Sequence, residues 1–312
     1  MENCRKCYGC CLRKSEGGIK LDNILQISNL TKHYNQFSLQ DINFSLKPGF
    51  IMGFIGPNGS GKSTTIKLIM NLIKKDSGEI KVFGLDHQKH EKEIKSKIGF
   101  VYDENHYYEN LTVTEIERII APFYKKWDRD LFNKHINDFQ LPVKKKLKEF
   151  SKGMKMKFSL AIALSHKAEL IIMDEPTAGL DPVFRSELLN ILSEIIQDEN
   201  VSIFFSTHIT TDLEKIADYI TFIHQGKIVL SQTKDRVLET YKIVKGKKEL
   251  LNDENRKLFV SIHESQFGFE GLTDNLDKLD KQFRQDVMIE RASLDDIMVF
   301  TVRGSGHVLS RS

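Results

Sequence analysis

The chain has 312 residues, enough for about two domains. Its 46 Lys and Arg against 43 Asp and Glu leave a formal net charge of +3, which gives no electrostatic warrant for a nucleic-acid partner. A hydrophobic fraction of 40% with only 6 Pro excludes large-scale disorder, and no apolar run approaches the ~18 residues of a membrane span.

All 4 cysteines stand at the start, as Cys4, Cys7, Cys10 and Cys11. A secreted disulfide scaffold would spread them through the fold, so a reducing cytoplasm is expected. Thiolates at this spacing suit Zn²⁺ or an iron–sulfur cluster; the preferred reading is an extension, residues 1–23, outside the fold. Leu21 is a candidate natural start, and the extension has no apolar stretch of a secretory signal.

In chain order, Ile24–Ile27 and Asp41–Leu46 predict half-buried strands, and Lys47-Pro48-Gly49 predicts a turn. Phe50–Ile55 is a strand-length apolar run suited to a parallel sheet covered on both faces. Ser63–Lys74 has helical spacing in Ile66, Ile69, Met70 and Ile73. Strands are expected next at Glu79–Phe83 and Ile98–Val101. Thr112 to about Gln140 is mostly helical, with Ile116, Ile119, Ile120 and Phe123 on one face and a break at Pro122. Phe158–Leu164 predicts a helix, Leu170–Met173 and Val201–Phe205 predict buried strands, and Val183–Ile196 a helix between them. This alternation argues an α/β fold with a largely parallel core over residues 24–230 and a helical insertion at about 104–165. From residue 231 to 303 the segments Asp235–Leu238, Tyr241–Val244, Leu258–Ile262, Leu276–Phe283 and Val287–Ile289 suggest a small α+β appendage, and 304–312 a flexible tail.

Chemistry concentrates in two places. Gly56, Pro57, Asn58, Gly59, Ser60, Gly61, Lys62 and Ser63 form a complete G-x-x-x-x-G-K-[ST] loop between a buried strand and a helix. Such a loop turns its backbone N–H groups toward phosphate oxygens, and the helix after it adds its positive end. Lys62 supplies charge to the β/γ-phosphates and Ser63 a hydroxyl to Mg²⁺; Thr64 adjoins them. The second place is Leu170–Met173 with Asp174 and Glu175 directly after it. Two acids ending a buried strand are costly unless they hold a metal or do chemistry. Asp174 fits the Mg²⁺ carboxylate, and Glu175 is placed to polarise an attacking water.

On these motifs the chain resembles the ATP-binding subunit of an ABC transporter over about residues 24–230. The resemblance implies a P-loop ABC ATPase core with an antiparallel β subdomain and helical insertion, then the small C-terminal α+β appendage. It implies that Tyr34 stacks on adenine, that Ala178-Gly-Leu-Asp181 lines a dimer interface, and that His208 contacts the γ-phosphate. The family's Leu-Ser-Gly-Gly-Gln signature is matched in part by Phe150-Ser-Lys-Gly-Met154, in which Ser151 and Gly153 would face ATP on the opposite subunit. Lys152 replaces a glycine, a form associated with ABC-2 exporters. Asp103 stands where the family has a glutamine near Mg²⁺. The run Phe-Val-Tyr-Asp-Glu-Asn resembles a Gram-positive ABC-2 subgroup that exports phenol-soluble modulins or confers resistance to cell-wall-active peptides.

The resemblance therefore implies an ATPase using ATP and Mg²⁺, peripheral on the inner face of the cell membrane. It would work as a homodimer, or as a heterodimer with a second ABC ATPase, beside a transmembrane permease docked near the exposed stretch Asn105–Glu109, with Tyr107 and Tyr108. The expected cargo is amphipathic or antimicrobial peptides. The alternative is a soluble ABC ATPase of repair or translation, disfavoured because no coiled-coil insertion or second ATPase domain is present. An importer subunit and a non-catalytic ATP-gated regulator are weaker readings; the signature opposes the first, Glu175 and His208 the second.

Overall fold

The computed structural model describes residues 21–102 and 107–308; the cysteine cluster and Asp103 lie outside them. Its centre is a six-stranded sheet in the order Lys227–Thr233, Tyr219–His224, Ile51–Ile55, Ser202–Thr207, Leu170–Asp174, Ile98–Val101. All neighbours are parallel except the first pair, an antiparallel hairpin. Ile51–Ile55 and Ser202–Thr207 are buried at every position, as strands covered on both faces must be.

The period-2 alternation of a strand sends neighbours to opposite faces. Phe204 therefore joins Phe44 and Phe54 on one face, with ring centroids 5.2–5.8 Å apart. These rings bind the sheet to a four-stranded antiparallel sheet, Ser38–Leu46, Leu25–His33, Ser77–Val82, Leu85–Asp86. Phe205 faces the other way, among Met173, Leu188, Leu213 and Phe222. The helix after the phosphate loop, Lys62–Ile69, is shorter than its apolar spacing predicts. Asn71 takes a left-handed φ of 53° and ends the turn.

Among the described residues the insertion holds three α-helices, Val113–Ile120, Arg129–Asp138 and Lys152–Ser165, around Ile116, Phe132, Leu147, Phe150 and Phe158. Thr112 and Glu115 cap the first reciprocally. That helix ends before the 3₁₀ turn Ala121–Phe123, with Pro122 inside the turn. Ile116 and Ile120 pack in this cluster, whereas Ile119, 43% exposed within the same helix, and Phe123, 78% exposed beyond the break, lie off the face predicted for all four. Trp127 packs on Phe132 instead. Tyr107, expected on an exposed stretch, is folded against Phe158 at 5.4 Å, and burial pushes its phenol pKa up to about 12. Tyr108 is 69% exposed.

The appendage is an antiparallel sheet, Ser261–Ser265, Gly268–Thr273, Lys242–Gly246, Met288–Arg291. Val244 and Phe269 pack on Leu279 and Phe283, while Ile243 and Leu272 join the core cluster that holds Leu213 and Ile216. Its strand Ser261–Ser265 starts later than the apolar run Leu258–Ile262 predicts. Its last helix, Leu294–Val308, continues past Gly304, where the sequence predicts a tail.

His166 closes the Lys152–Ser165 helix and stacks on Tyr124 at 3.9 Å and 10°. It is buried, and its Nδ1 has no partner among the described residues. Burial holds its pKa down at about 4. The unfolded chain binds this proton below about pH 6.5 and the folded one only near 4. Stability from this group is therefore complete above pH 6.5 and is lost as pH falls toward 4, by roughly 3 kcal/mol. Urea unfolding at stepped pH is expected to show that loss in the parent protein and a shallower one in His166→Phe.

Candidate active site

The phosphate loop leaves the carboxyl end of Ile51–Ile55 and enters the helix Lys62–Ile69. Gly61, at the helix N-cap, has φ 113°, and a Cβ there would lie 2.5 Å from Leu39 Cδ2. Only glycine meets both demands. The loop is held from behind, where the Gly226 N–H donates to the Ser60 carbonyl at 3.0 Å. Ser60 Oγ is buried without a partner among the described residues. Lys62 curls back across the loop and donates to the Gly56 carbonyl at 2.8 Å and the Pro57 carbonyl at 3.3 Å.

Parallel register brings the ends of three strands together, since Ile55 pairs with Thr207 and Asp174 with Ser206. Glu175 then reaches two side chains at once. Its Oε1 lies 3.0 Å from Lys62 Nζ, and its Oε2 lies 2.8 Å from His208 Nδ1 and accepts the His208 N–H at 3.3 Å. Glu175 also has a left-handed φ of 48°, a conformation a non-glycine residue keeps only when its surroundings hold it. Here its N–H donates to the Ser206 carbonyl at 3.0 Å and to Ser206 Oγ at 3.2 Å. Ser206 Oγ donates in turn to Asp174 Oδ1 at 2.6 Å. The motifs do not reveal Ser206; its only signal is the place two residues before His208, at the end of a buried strand.

Lys62, Asp174, Glu175 and His208 thus form one cluster, and Ser63 is exposed at the start of the helix beside Lys62. Tyr34 is 47% exposed in the turn between the strands Leu25–His33 and Ser38–Leu46 of the antiparallel sheet. Ser151 and Gly153 stand on another element, the start of Lys152–Ser165, where Ser151 accepts the Met154 N–H at 3.2 Å. A Cβ on Gly153 would fall 2.4 Å from the Phe184 ring. Phe184 belongs to the helix Pro182–Ile195, which Asp181 caps through the Val183 and Phe184 N–H groups. The next residue, Arg185, binds Asp212 Oδ1 at 2.6 Å, in the helix Thr210–Ile216 that comes after His208. Neither Phe184 nor Arg185 is visible in the sequence as a site residue, because both contacts cross long stretches of chain.

Comparison with known proteins agrees with this geometry. The ABC transporter family pattern matches residues 39–178. The bacitracin transport ATP-binding protein BcrA of Bacillus licheniformis is 38% identical over 213 residues, covering 67% of this chain and 69% of that protein. The chain belongs to the ABC transporter family. It is the family's ATP-binding, ATP-hydrolysing subunit. The lantibiotic transport ATP-binding protein SrtF of Streptococcus pyogenes is 35% identical over 215 residues, 68% of this chain and 92% of that one. A solved ATP-binding subunit of an ABC transporter superposes with a TM-score of 0.63 at 28% identity, over 69% of this chain and 92% of its own. Among the described residues no helix is long and apolar enough to cross a membrane, and ATP-binding subunits of this family work with a separate permease.

The family implies Mg²⁺ with ATP. An exposed hydroxyl (Ser63) and a half-buried carboxylate (Asp174) are hard oxygen donors of the kind Mg²⁺ takes when substrate phosphates complete its shell. Asp174 is oriented by Ser206. Ser206→Ala is expected to lower ATP turnover about ten- to a hundredfold, the usual cost of losing the partner that orients a ligand, with a higher Mg²⁺ requirement in a titration at fixed ATP.

Proposed function

We propose that this subunit hydrolyses ATP between two such subunits and so drives export of amphipathic or antimicrobial peptides, such as phenol-soluble modulins, through the permease. The observation that carries the reading is the convergence of Lys62, Glu175 and His208 at the mouth of the phosphate loop. In this reading the loop from Gly56 to Thr64 cradles the phosphates, with Lys62 on the β/γ-phosphates. Tyr34 stacks on adenine. Ser63 and Asp174, joined by Asp103, hold Mg²⁺, which when bound supplies positive charge to the phosphate oxygens.

A bound triphosphate carries more negative charge than one carboxylate and competes with Glu175 for Lys62. Binding therefore frees Oε1 of the residue that must accept a proton. The attacking water gives its proton to Glu175 as its oxygen bonds to the γ-phosphorus, and the bond to the β-phosphate oxygen breaks to release ADP. His208, beside Glu175, donates to the γ-phosphate.

Ser151 and Gly153 stand on a different element from the Lys62 cluster, which supports a site completed by a second subunit. Ser151 caps a helix whose N-terminus suits an anion. ATP then acts as a bridge between subunits, and its hydrolysis reopens them; this closing and opening is what the permease uses. Tyr108 remains the exposed aromatic of the proposed permease-docking stretch. Relatives named for bacitracin and lantibiotic transport support the peptide cargo.

Glu175→Gln is expected to bind ATP, to elute from gel filtration with ATP as a stable dimer, and to turn over at least about a hundredfold more slowly. Normal turnover would remove Glu175 as the base. Lys62→Ala is expected to abolish ATP binding, measured by equilibrium titration with a fluorescent ATP analogue; unchanged affinity would refute the loop's role. Host cells lacking the chain are expected to retain phenol-soluble modulins or become sensitive to bacitracin-like peptides. The wild-type gene, and not the Glu175→Gln form, should restore them; no phenotype with either class of peptide would remove this cargo.

A further inference from the structure

The C-terminal unit grips the segment that carries His208, and the chemistry above makes no use of that grip. Helix Thr210–Ile216 begins two residues after His208, and the Ile209 N–H donates back to Thr207 Oγ1 at 3.0 Å across the histidine. Within this helix Glu214 is held by the appendage at both ends. Its Oε1 accepts the Leu294 N–H at 2.8 Å, at the start of the last helix. Its carbonyl accepts from Lys234 Nζ at 2.7 Å, at the start of the appendage's first helix, Lys234–Thr240.

The last helix presents a preformed end. Ser293 Oγ donates to Asp296 Oδ2 at 2.6 Å, and the Asp296 N–H donates back to Ser293 Oγ at 3.1 Å. The Leu294 N–H is one of the donors a helix start leaves unpaired, and a carboxylate is its best partner there. Below these bonds Leu294 and Ile297 share one buried cluster with Leu213 and Ile216. A second, weaker contact runs from Thr210 Oγ1 to Asp295 Oδ1 at 3.4 Å.

A helix of 7 residues cannot fix its own pose. We infer that Glu214 is a positioning residue that passes the pose of the C-terminal unit to helix Thr210–Ile216 and so to the His208 ring against Glu175. The inference rests on the reading of His208 given above. Coupling between two sites is reciprocal, so ATP at the phosphate loop must also steady the start of the last helix.

The test uses the full chain. Glu214→Ala is expected to lower kcat about fivefold, part of the roughly ten- to hundredfold that one hydrogen bond to a charged acceptor is worth, with KM for ATP unchanged because the phosphate loop is untouched. Glu214→Gln, whose amide oxygen still accepts the Leu294 N–H, should restore most of the rate. If Glu214→Ala does not fold, Glu214→Asp keeps the charge, falls short by one methylene and should show the same kcat loss. In Glu175→Gln protein, ATP should slow amide hydrogen exchange over residues 294–300, and adding Glu214→Ala should remove that effect. Equal kcat in all Glu214 variants, or exchange over 294–300 indifferent to ATP, would overturn the inference. His208→Ala separates the two levels: if it turns over normally, the reading of the site fails, whereas if it is inactive and the Glu214 variants are not, only the role of Glu214 fails.

Discussion

A half-buried carboxylate placed between a lysine and a histidine sets the terms for the rest of this molecule. Glu175 touches Lys62 through one oxygen and His208 through the other. Each of the three residues lies at the end of a different strand or on the loop leaving it, so the contact exists only while three parallel strands hold register. That register is guarded by the core. Shifting Ser202–Thr207 by one residue would exchange Phe204 and Phe205 between two apolar clusters built for different neighbours. It would also carry Ser206 away from Asp174. A partly buried ion pair adds little net stability by itself, because desolvation offsets much of the attraction. The core therefore holds the charges in place, and not the reverse.

Much of this was legible in the residues, for a physical reason. A phosphate loop is a local device: its glycines, lysine and serine are adjacent, and the buried strand before it and the helix after it are both short-range patterns. The apolar runs at Phe50–Ile55, Leu170–Met173 and Val201–Phe205 can be read without knowing their partners, since strands covered on both faces need no alternation. What escaped were contacts between distant residues. Ser206 serves Asp174 and Glu175 from another strand. Phe184 fills the space that Gly153 leaves, and Arg185 reaches Asp212. The misplaced Phe123, Ile119 and Tyr107 share one cause, a local pattern read without its tertiary neighbours. The apolar spacing carries on to Phe123 past the break expected at Pro122, and Tyr107 lies before the helix and packs on a residue about fifty positions away.

The departure in the signature becomes intelligible from the same packing. Lys152 stands where the family has a glycine, and it is exposed on the first turn of its helix, where there is room for a side chain. The adjacent position is different: Gly153 is buried against the Phe184 ring, and any Cβ would collide with it. Of two adjacent glycines in the family pattern, only the second is sterically obligatory in this fold, and it is the one retained. The helix also carries a basic residue, Lys157, that pairs with Glu187 at 2.7 Å and lies 5.0 Å over the Phe184 ring. The signature helix and the helix Pro182–Ile195 are thereby fastened at two levels.

That fastening matters because the same first turn of Pro182–Ile195 also holds the segment after His208. Asp212 is buried, with one oxygen on Arg185 and the other without a partner among the described residues. A buried carboxylate with a single cation depends heavily on it, so Arg185 governs that side of helix Thr210–Ile216. The C-terminal unit governs the other side through Leu294 and Ile297. Close-packed protein interiors transmit displacement instead of absorbing it. The short helix after His208 is therefore a junction between the signature, the segment Ala178–Asp181 and the appendage. Its small size is functional in that sense: a longer helix would hold its own position, whereas this one takes its position from its neighbours.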